Sequence, residues 1–283
     1  MKRVGVVLHA GKEEAADTGR YVVDTLASRG IEVVALPGDA ARVDGAAAAV
    51  DELPSDLDLV VAFGGDGTLL RAAEMLGGSG VPLLGVNLGR LGFLSGLERP
   101  ELDDALARIA DGGFHIDERM LLEAIIEQGG STQRVLALND VIVEKTSPGR
   151  SIRLQVAIGG EPLALWAADG IIVATPTGST AYSFSAGGPI VSPRTECVIV
   201  TPVAPHGMFN RAVIAPPDEE ISVTVLPDAD ASSLSADGGP ALPLAFGARV
   251  RVRAAPERLR LAKLEPTPFW RLLREKFGLR IEP

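Results

Sequence analysis

The 283-residue chain has 46% hydrophobic and 23% charged residues and a formal net charge of −10. It is long enough for one large or two modest domains, each with its own core. Its acidic balance argues against a general nucleic-acid binder and against binding to an anionic membrane surface.

The single cysteine, Cys197, excludes an intramolecular disulfide and sits in an apolar run, as a buried inert thiol would. The longest uncharged run, Gly170 to Pro193, is full of Gly, Pro, Ser and Thr and is not a membrane helix. Val4 to Leu8 is too short for a signal peptide and the right length for a first strand, so a cytoplasmic location is expected.

In chain order, Arg3 to His9 reads as a strand, Lys12 to Arg29 as a helix stopped by Gly30, and Ile31 to Leu36 as a second strand. This alternation indicates βαβ units and a parallel sheet. Ala46 to Leu53 reads as a short helix. Leu57 to Phe63 is a near-continuous apolar run, suited to a buried central strand. Gly64-Gly65-Asp66-Gly67-Thr68 follows, and then Leu69, Leu70, Ala73 and Leu76 at helical spacing. A glycine loop between a strand end and a helix start is where open α/β sheets bind phosphates.

Asp66 is the odd residue in that loop. A pure phosphate cradle repels a carboxylate, whereas a phosphoryl-transfer site uses one to position an attacking hydroxyl or to help with Mg²⁺. The alternative is that Asp66 only caps the helix. The loop is not a Walker A motif, because no Gly-Lys-Ser/Thr follows. Val81 to Val86 is another strand, leading into the glycine-bearing NLGRLGFLSGL from Asn87 to Leu97, and Glu101 to Ala110 is a helix.

From Phe114 the pattern becomes short β-rich runs with frequent turns, which means an all-β domain. The runs are Leu121 to Ile126, Arg134 to Glu144, Ser151 to Ile158, Gly170 to Ala174, Cys197 to Val200, Ala212 to Ile214, Ile221 to Leu226 and Ala248 to Val252. Arg249, Arg251 and Arg253 alternate with valines as a solvated strand face would. Three places are too polar for framework alone: Asn139-Asp140, the hydroxyl- and glycine-rich stretch Asp169 to Pro193, and Thr201 to Val213 with His206, Asn210 and Arg211. Both Asn139 and Asp140 reach a ligand only if the strand ends or bulges there. The last segment, Pro268 to Phe277, is helical, with Phe269, Leu272, Leu273 and Phe277 as an apolar stripe.

These motifs together resemble the NAD kinase family over nearly the whole chain. GGDGT at Gly64 to Thr68, NLGRLGFL at Asn87 to Leu94, the Asn139-Asp140 pair, DGIIVATPTGSTAYSFSAGGPI from Asp169 and TPVAPHGMFNRAVI from Thr201 carry the resemblance. GGDGT alone is shared with diacylglycerol-type and sphingosine kinases; the long segment following it in this order is specific. Departures are Asp140 where many members carry Glu, Asp237-Gly238-Gly239 in place of DGQ, and Gly207-Met208.

The resemblance implies an α/β N-terminal domain with a Rossmann-like parallel sheet, spanning 1–115 and completed by a returning helix in 267–283. An all-β NAD-binding domain spans 116–266. It implies phosphoryl transfer from ATP or polyphosphate to the 2′-hydroxyl of the adenosine ribose of NAD, with Mg²⁺, in a homodimer or homotetramer. By resemblance Asp66 is the proton acceptor, Asp66 and Gly67 lie at the ribose, and Arg71 meets a phosphate. Asn139 and Asp140 hold the other ribose. Asp169, Thr180, Ala181, Tyr182, Ser183 and Ser185 line the dinucleotide. Tyr182 either stacks on a base or is a core tyrosine. No residue is assigned to a metal. The alternative is a diacylglycerol-type lipid kinase sharing the GGDGT loop.

Overall fold

A computed structural model describes residues 1–89, 92–227, 231–266 and 268–280. Arg90 and Leu91 of the NLGRLGFL segment, Thr267, and the last three residues of the expected returning segment lie outside the described residues. The chain divides into two units, one formed by Met1–Glu118 with Arg258–Pro283 and the other by Arg119–Glu257.

The first unit runs β1 (Arg3–Leu8), α1 (Glu13–Ser28), β2 (Glu32–Ala35), α2 (Pro37–Arg42), β3 (Ala48–Ala49), β4 (Leu59–Gly64), α3 (Asp66–Leu76), β5 (Leu83–Asn87), β6 (Leu97–Glu98) and α4 (Leu102–Ala110). The parallel order is β5-β4-β1-β2-β3, with Val60 opposite Leu83 and Gly5 opposite Val60. Val4, Val6, Leu8, Val61, Phe63, Leu84 and Val86 bury one face of this sheet in a core shared with Val22, Leu26 and Ile109 of α1 and α4. Near-continuous apolar strands are what a sheet covered on both faces requires. On the other side α3 comes close: a Cβ at Gly85 would lie 2.4 Å from the Leu69 side chain.

The expected helix over Ala46 to Leu53 is a correction. Only Ala48–Ala49 forms regular structure there, as an edge strand with Ala48 opposite Val34. The helix lies earlier, at α2, with Pro37 at its first turn, a position proline favours. Alanine content is a weak prior that edge pairing overrides.

The second unit holds β7 (His115–Gln128, entering from the first unit), β8 (Ser131–Ala137), β9 (Asp140–Lys145), β10 (Ile152–Ile158), β11 (Glu161–Ala168), β12 (Gly170–Ala174), the one-turn α5 (Tyr182–Ser185), β13 (Val198–Val203), β14 (Val213–Ala215), β15 (Ile221–Val225), β16 (Ser232–Ala236), β17 (Leu242–Leu244) and most of β18 (Arg249–Lys263). One antiparallel layer runs β14-β13-β12-β9-β16-β17 and the other contains β11-β10-β15-β18. Side chains of both, including Val141, Val143, Leu154, Val173, Val223 and Leu234, share one core. The outer face of the first layer carries Ile142, Ile172, Ala174 and Ile199, packed with Ala186 and Val191 of the polar segment.

Among the described residues of the second unit, three strands lie outside the expected runs: β11, β16 and β17. β16 (Ser232–Ala236) has little strand propensity, yet Ser232, Ser233 and Ser235 are buried by pairing with β9 and β17. The arginine face of β18 is not simply solvated. Arg251 bonds Glu127 and Glu220, and Arg253 bonds Glu123. Hydrogen bonds from Arg134 first and Arg253 second hold the buried Glu123 carboxyl below the usual carboxylate range. The final helix, α6 (Phe269–Phe277), belongs to the first unit and buries Leu272 and Leu273.

Candidate active site

In the first unit β4 ends at Gly64 and α3 begins at Asp66, so the GGDGT loop is a two-step corner. The helix cap is Gly65, with extended backbone, and Asp66 is the first helical residue with no side-chain capping bond. The capping alternative for Asp66 therefore does not describe its contacts. Its carboxylate instead reaches the neighbouring loop, where Phe93 N–H donates to Oδ2 at 2.9 Å and Leu94 N–H to Oδ1 at 3.2 Å. Lys276 of α6 brings its ammonium to 3.9 Å from Asp66 Oδ2 and lies 4.4 Å over the Phe93 ring. Phe93 also packs on Phe269 and Phe277 at 6.3 and 6.4 Å between centroids. The apolar stripe of the last helix thus holds a cation at the loop carboxylate. Nothing in the local sequence linked Lys276 to Asp66, because they are far apart in the chain.

Glycines 65 and 67 have no fold reason to lack a side chain. Neither has a positive φ, and a Cβ on either would meet nothing within 4 Å. Gly67 is inside the first helical turn, where glycine costs about 1 kcal/mol relative to alanine. Open space beside the N-terminal end of a helix suits a close-approaching anion. Gly92 differs: its Cβ would fall 2.1 Å from Asp66 Oδ1. Arg71, one turn on, donates to the Leu8 carbonyl at 2.5 Å and to Asp39 at 3.3 Å while its side chain stays about a third exposed. Asn87 is buried as the last residue of β5 and donates to the Gly89 carbonyl at 3.2 Å, shaping the turn.

In the second unit β8 stops at Ala137 and β9 starts at Asp140, so the strand breaks at Leu138-Asn139. That break lets adjacent residues project polar groups. Asp140 is 4% exposed, and burial first, then the Asp237 charge, pushes its carboxyl up to about 7, with the Tyr182 N–H opposing the rise. Asp169 pairs with Lys145 at 2.6 Å.

Tyr182 is 39% exposed at the start of α5, which excludes the core-tyrosine alternative. Burial and the nearby Glu144, Asp169 and Asp140 charges raise its phenol. Thr180 and Ala181 are half-buried and Ser185 is exposed. Several hydroxyls of this segment serve the fold. Thr175 bonds the Leu138 carbonyl, Ser179 the Pro176 and Val191 carbonyls, Thr180 the Thr177 carbonyl, and buried Ser183 pairs with Thr201 at 2.9 Å. Asp237, which the sequence marked only as the first residue of the DGG that stands in place of DGQ, accepts three backbone N–H groups from Leu138 to Asp140.

The first unit carries an acid-bearing glycine corner and the second a polar strand break, and each unit by itself matches the same class of nucleotide-dependent phosphotransferase. Residues 4–114 match the ATP-NAD kinase N-terminal domain and residues 138–264 its C-terminal domain. The chain belongs to the NAD kinase family, and it is an enzyme of that activity.

It is 42% identical to the NAD kinase of Heliobacterium modesticaldum over 98% of both chains. To that of Desulforamulus reducens it is 39% identical over 98% of this chain and 97% of the relative. The crystal structure of yeast NADH kinase complexed with NADH is similar with a TM-score of 0.88 at 26% identity, covering all of this chain and 89% of that one. An Archaeoglobus fulgidus NAD kinase solved with ATP shares the fold, with a TM-score of 0.73 at 24% identity and 98% of each chain covered. These relatives leave the lipid-kinase alternative without support.

Proposed function

We propose that the chain transfers the terminal phosphoryl group of ATP to the 2′-hydroxyl of the adenosine ribose of NAD, and that Asp66 orients this hydroxyl and accepts its proton. The ribose oxygen forms the new bond to phosphorus, the bond to the leaving phosphate breaks, and ADP departs. A carboxylate with an ordinary value near 4 is a weak base for a hydroxyl. In a loose transition state the proton leaves late, so holding the oxygen in line matters more than basicity. The observation that carries this reading is Asp66 at the head of α3 between two glycines that the fold itself does not need.

Arg71 and the first-turn N–H groups take phosphate, and Lys276 offsets the carboxylate's charge as polyanionic substrate arrives. In the second unit Asn139 and Asp140 take the hydroxyls of the other ribose. Asp169, Tyr182 and the backbone of Thr180 to Ser185 line the dinucleotide, with Ser183 acting by packing. Among the described residues no group of three or more His, Cys, Asp or Glu side chains gathers as a metal cage. The donor set therefore suits Mg²⁺ that arrives as the ATP complex, held by phosphates and water. No helix among the described residues is long and apolar enough to cross a membrane.

The test is NADP formation from NAD with MgATP, beside polyphosphate as donor and a diacylglycerol and sphingosine panel as acceptors. NADP formation without lipid phosphorylation is expected; lipid phosphorylation alone refutes the reading.

Two substitutions probe the loop. Gly67→Ala is expected to hold or raise stability, by up to about 1 kcal/mol in urea unfolding, while raising KM for NAD or ATP. A fully active variant shows that nothing approaches the loop there. Gly92→Ala is expected to displace the Asp66 carboxylate, the movable partner in the 2.1 Å clash, and to cut kcat at least about tenfold with Tm little changed.

A further inference from the structure

We propose that Asp237 is a positioning residue for NAD binding, whose carboxylate holds Leu138 to Asp140 in the bend that presents Asn139 and Asp140 and whose charge acts on Asp140. The inference rests on the reading that Asn139 and Asp140 contact NAD. Asp237 Oδ2 accepts Leu138 N–H at 2.6 Å, and Oδ1 accepts Asn139 N–H at 2.6 Å and Asp140 N–H at 3.0 Å. Its own N–H returns a bond to the Asp140 carbonyl at 3.0 Å. Those three amides lie where β8 has ended and β9 begins, among buried residues, so without Asp237 they lose their partners.

The carbonyl side is closed as tightly. Thr175 Oγ1 donates to the Leu138 carbonyl at 2.6 Å and Thr175 N–H to the Asn139 carbonyl at 2.8 Å. A Cβ on Gly178 would stand 2.0 Å from that Asn139 carbonyl oxygen. Asp237 itself has φ of 51°, a left-handed conformation unusual for a residue with a side chain. A strained residue that spends its carboxylate on a binding turn is a recurrent sign of function.

The same carboxylate places a negative charge against Asp140. Asp237 is the charge that acts on the Asp140 carboxyl, and the Tyr182 N–H bonds it. The Tyr182 phenol faces Asp140 together with Glu144 and Asp169, and Asp169 is paired with Lys145.

The experiment is the pH dependence of kcat/KM for NAD in the wild type, Asp237→Asn and Asp237→Glu, with Asp140→Asn as reference. The wild type is expected to lose kcat/KM as pH falls through about 7, when Asp140 takes up a proton. Asp237→Asn keeps the size but offers one acceptor oxygen and no charge. It is expected to raise KM for NAD about tenfold or more, with kcat within about threefold, and to move the acid limb to lower pH. Asp237→Glu keeps the charge and disturbs the reach, so KM rises while the acid limb stays.

A purely structural role moves KM and Tm but leaves the limb of Asp237→Asn at the wild-type pH, and that result overturns the proposal. Failure of both variants to fold also overturns it, by making Asp237 a requirement of the fold. If Asp140→Asn leaves KM for NAD unchanged, the underlying reading of Asp140 fails. If Asp140→Asn raises KM but the Asp237 variants behave as wild type, only the inference about Asp237 fails.

Discussion

Asp66→Asn is expected to lower kcat for NADP formation by about 10²- to 10³-fold, with the dissociation constant for NAD changed only a few-fold. The swap keeps volume and removes both the charge and the proton-accepting oxygen. Its limited effect on binding follows from the many other contacts proposed for the dinucleotide, at Asn139, Asp140, Asp169 and the Thr180 to Ser185 stretch. The substitution also has a structural cost. Asp66 serves Phe93 and Leu94 with separate oxygens, and an amide has only one. Leaving one buried N–H unpaired costs about 1–3 kcal/mol.

Unfolding by denaturant therefore has to accompany the kinetics. A large fall in kcat with a small fall in stability supports the catalytic role. Unchanged turnover with lowered stability makes Asp66 a tie between α3 and the following loop. Lys276→Met sharpens the comparison, because it removes the nearby cation and leaves both amide bonds in place.

Asp140→Asn is expected to weaken NAD binding yet stabilise the fold, by a few kcal/mol at pH 8 and by less at pH 5. The folded protein keeps the Asp140 proton up to about pH 7, whereas the ordinary carboxyl value is 3.8. Between those values the unfolded chain binds fewer protons than the folded one, so stability falls as pH rises through the window. The loss runs at about 1.4 kcal/mol per pH unit and is complete above pH 7. Asparagine does not titrate, keeps an oxygen for the Tyr182 N–H, and removes the repulsion by Asp237. Chemical unfolding of both proteins at pH 5 and pH 8 measures the effect. A gap that narrows toward pH 5, with KM for NAD raised about tenfold or more, is the expected result. Equal stability at both pH values shows that the buried carboxyl carries no such strain. A carboxylate that costs stability and is nonetheless present is the mark of a residue kept for binding.

Much of this was legible along the chain. The apolar strands Val4 to Leu8 and Leu59 to Phe63 identified themselves, because a sheet covered on both faces needs continuous apolarity. The GGDGT corner followed from three glycines placed between a strand pattern and a helix pattern. The strand break just before Asp140 was foreshadowed by the adjacent polar Asn139 and Asp140 in an apolar run, since alternation cannot bury both. The apolar stripe of α6 announced that it needed a surface.

Other features depended on contacts distant in sequence. Ser232 to Ala236 is a strand only because β9 and β17 flank it, and Ala48–Ala49 only because β2 offers an edge. Asp66 in its own sequence was a phosphoryl-transfer carboxylate with a helix cap as the alternative, and in three dimensions it is a partner of Phe93, Leu94 and Lys276. The hydroxyls between Thr175 and Ser183 read as too many for framework alone, yet several close the loop on itself. Asp237 stood in the sequence as part of a DGG in place of DGQ, and in three dimensions it holds the amides of Leu138 to Asp140. Periodicity and turn chemistry are local properties, so the chain by itself determined most element types, the two-part architecture and the family. Which carboxylate meets which amide or cation depends on how distant segments pack, and burial by that packing sets the charge state of Asp140, so only the tertiary structure decided them.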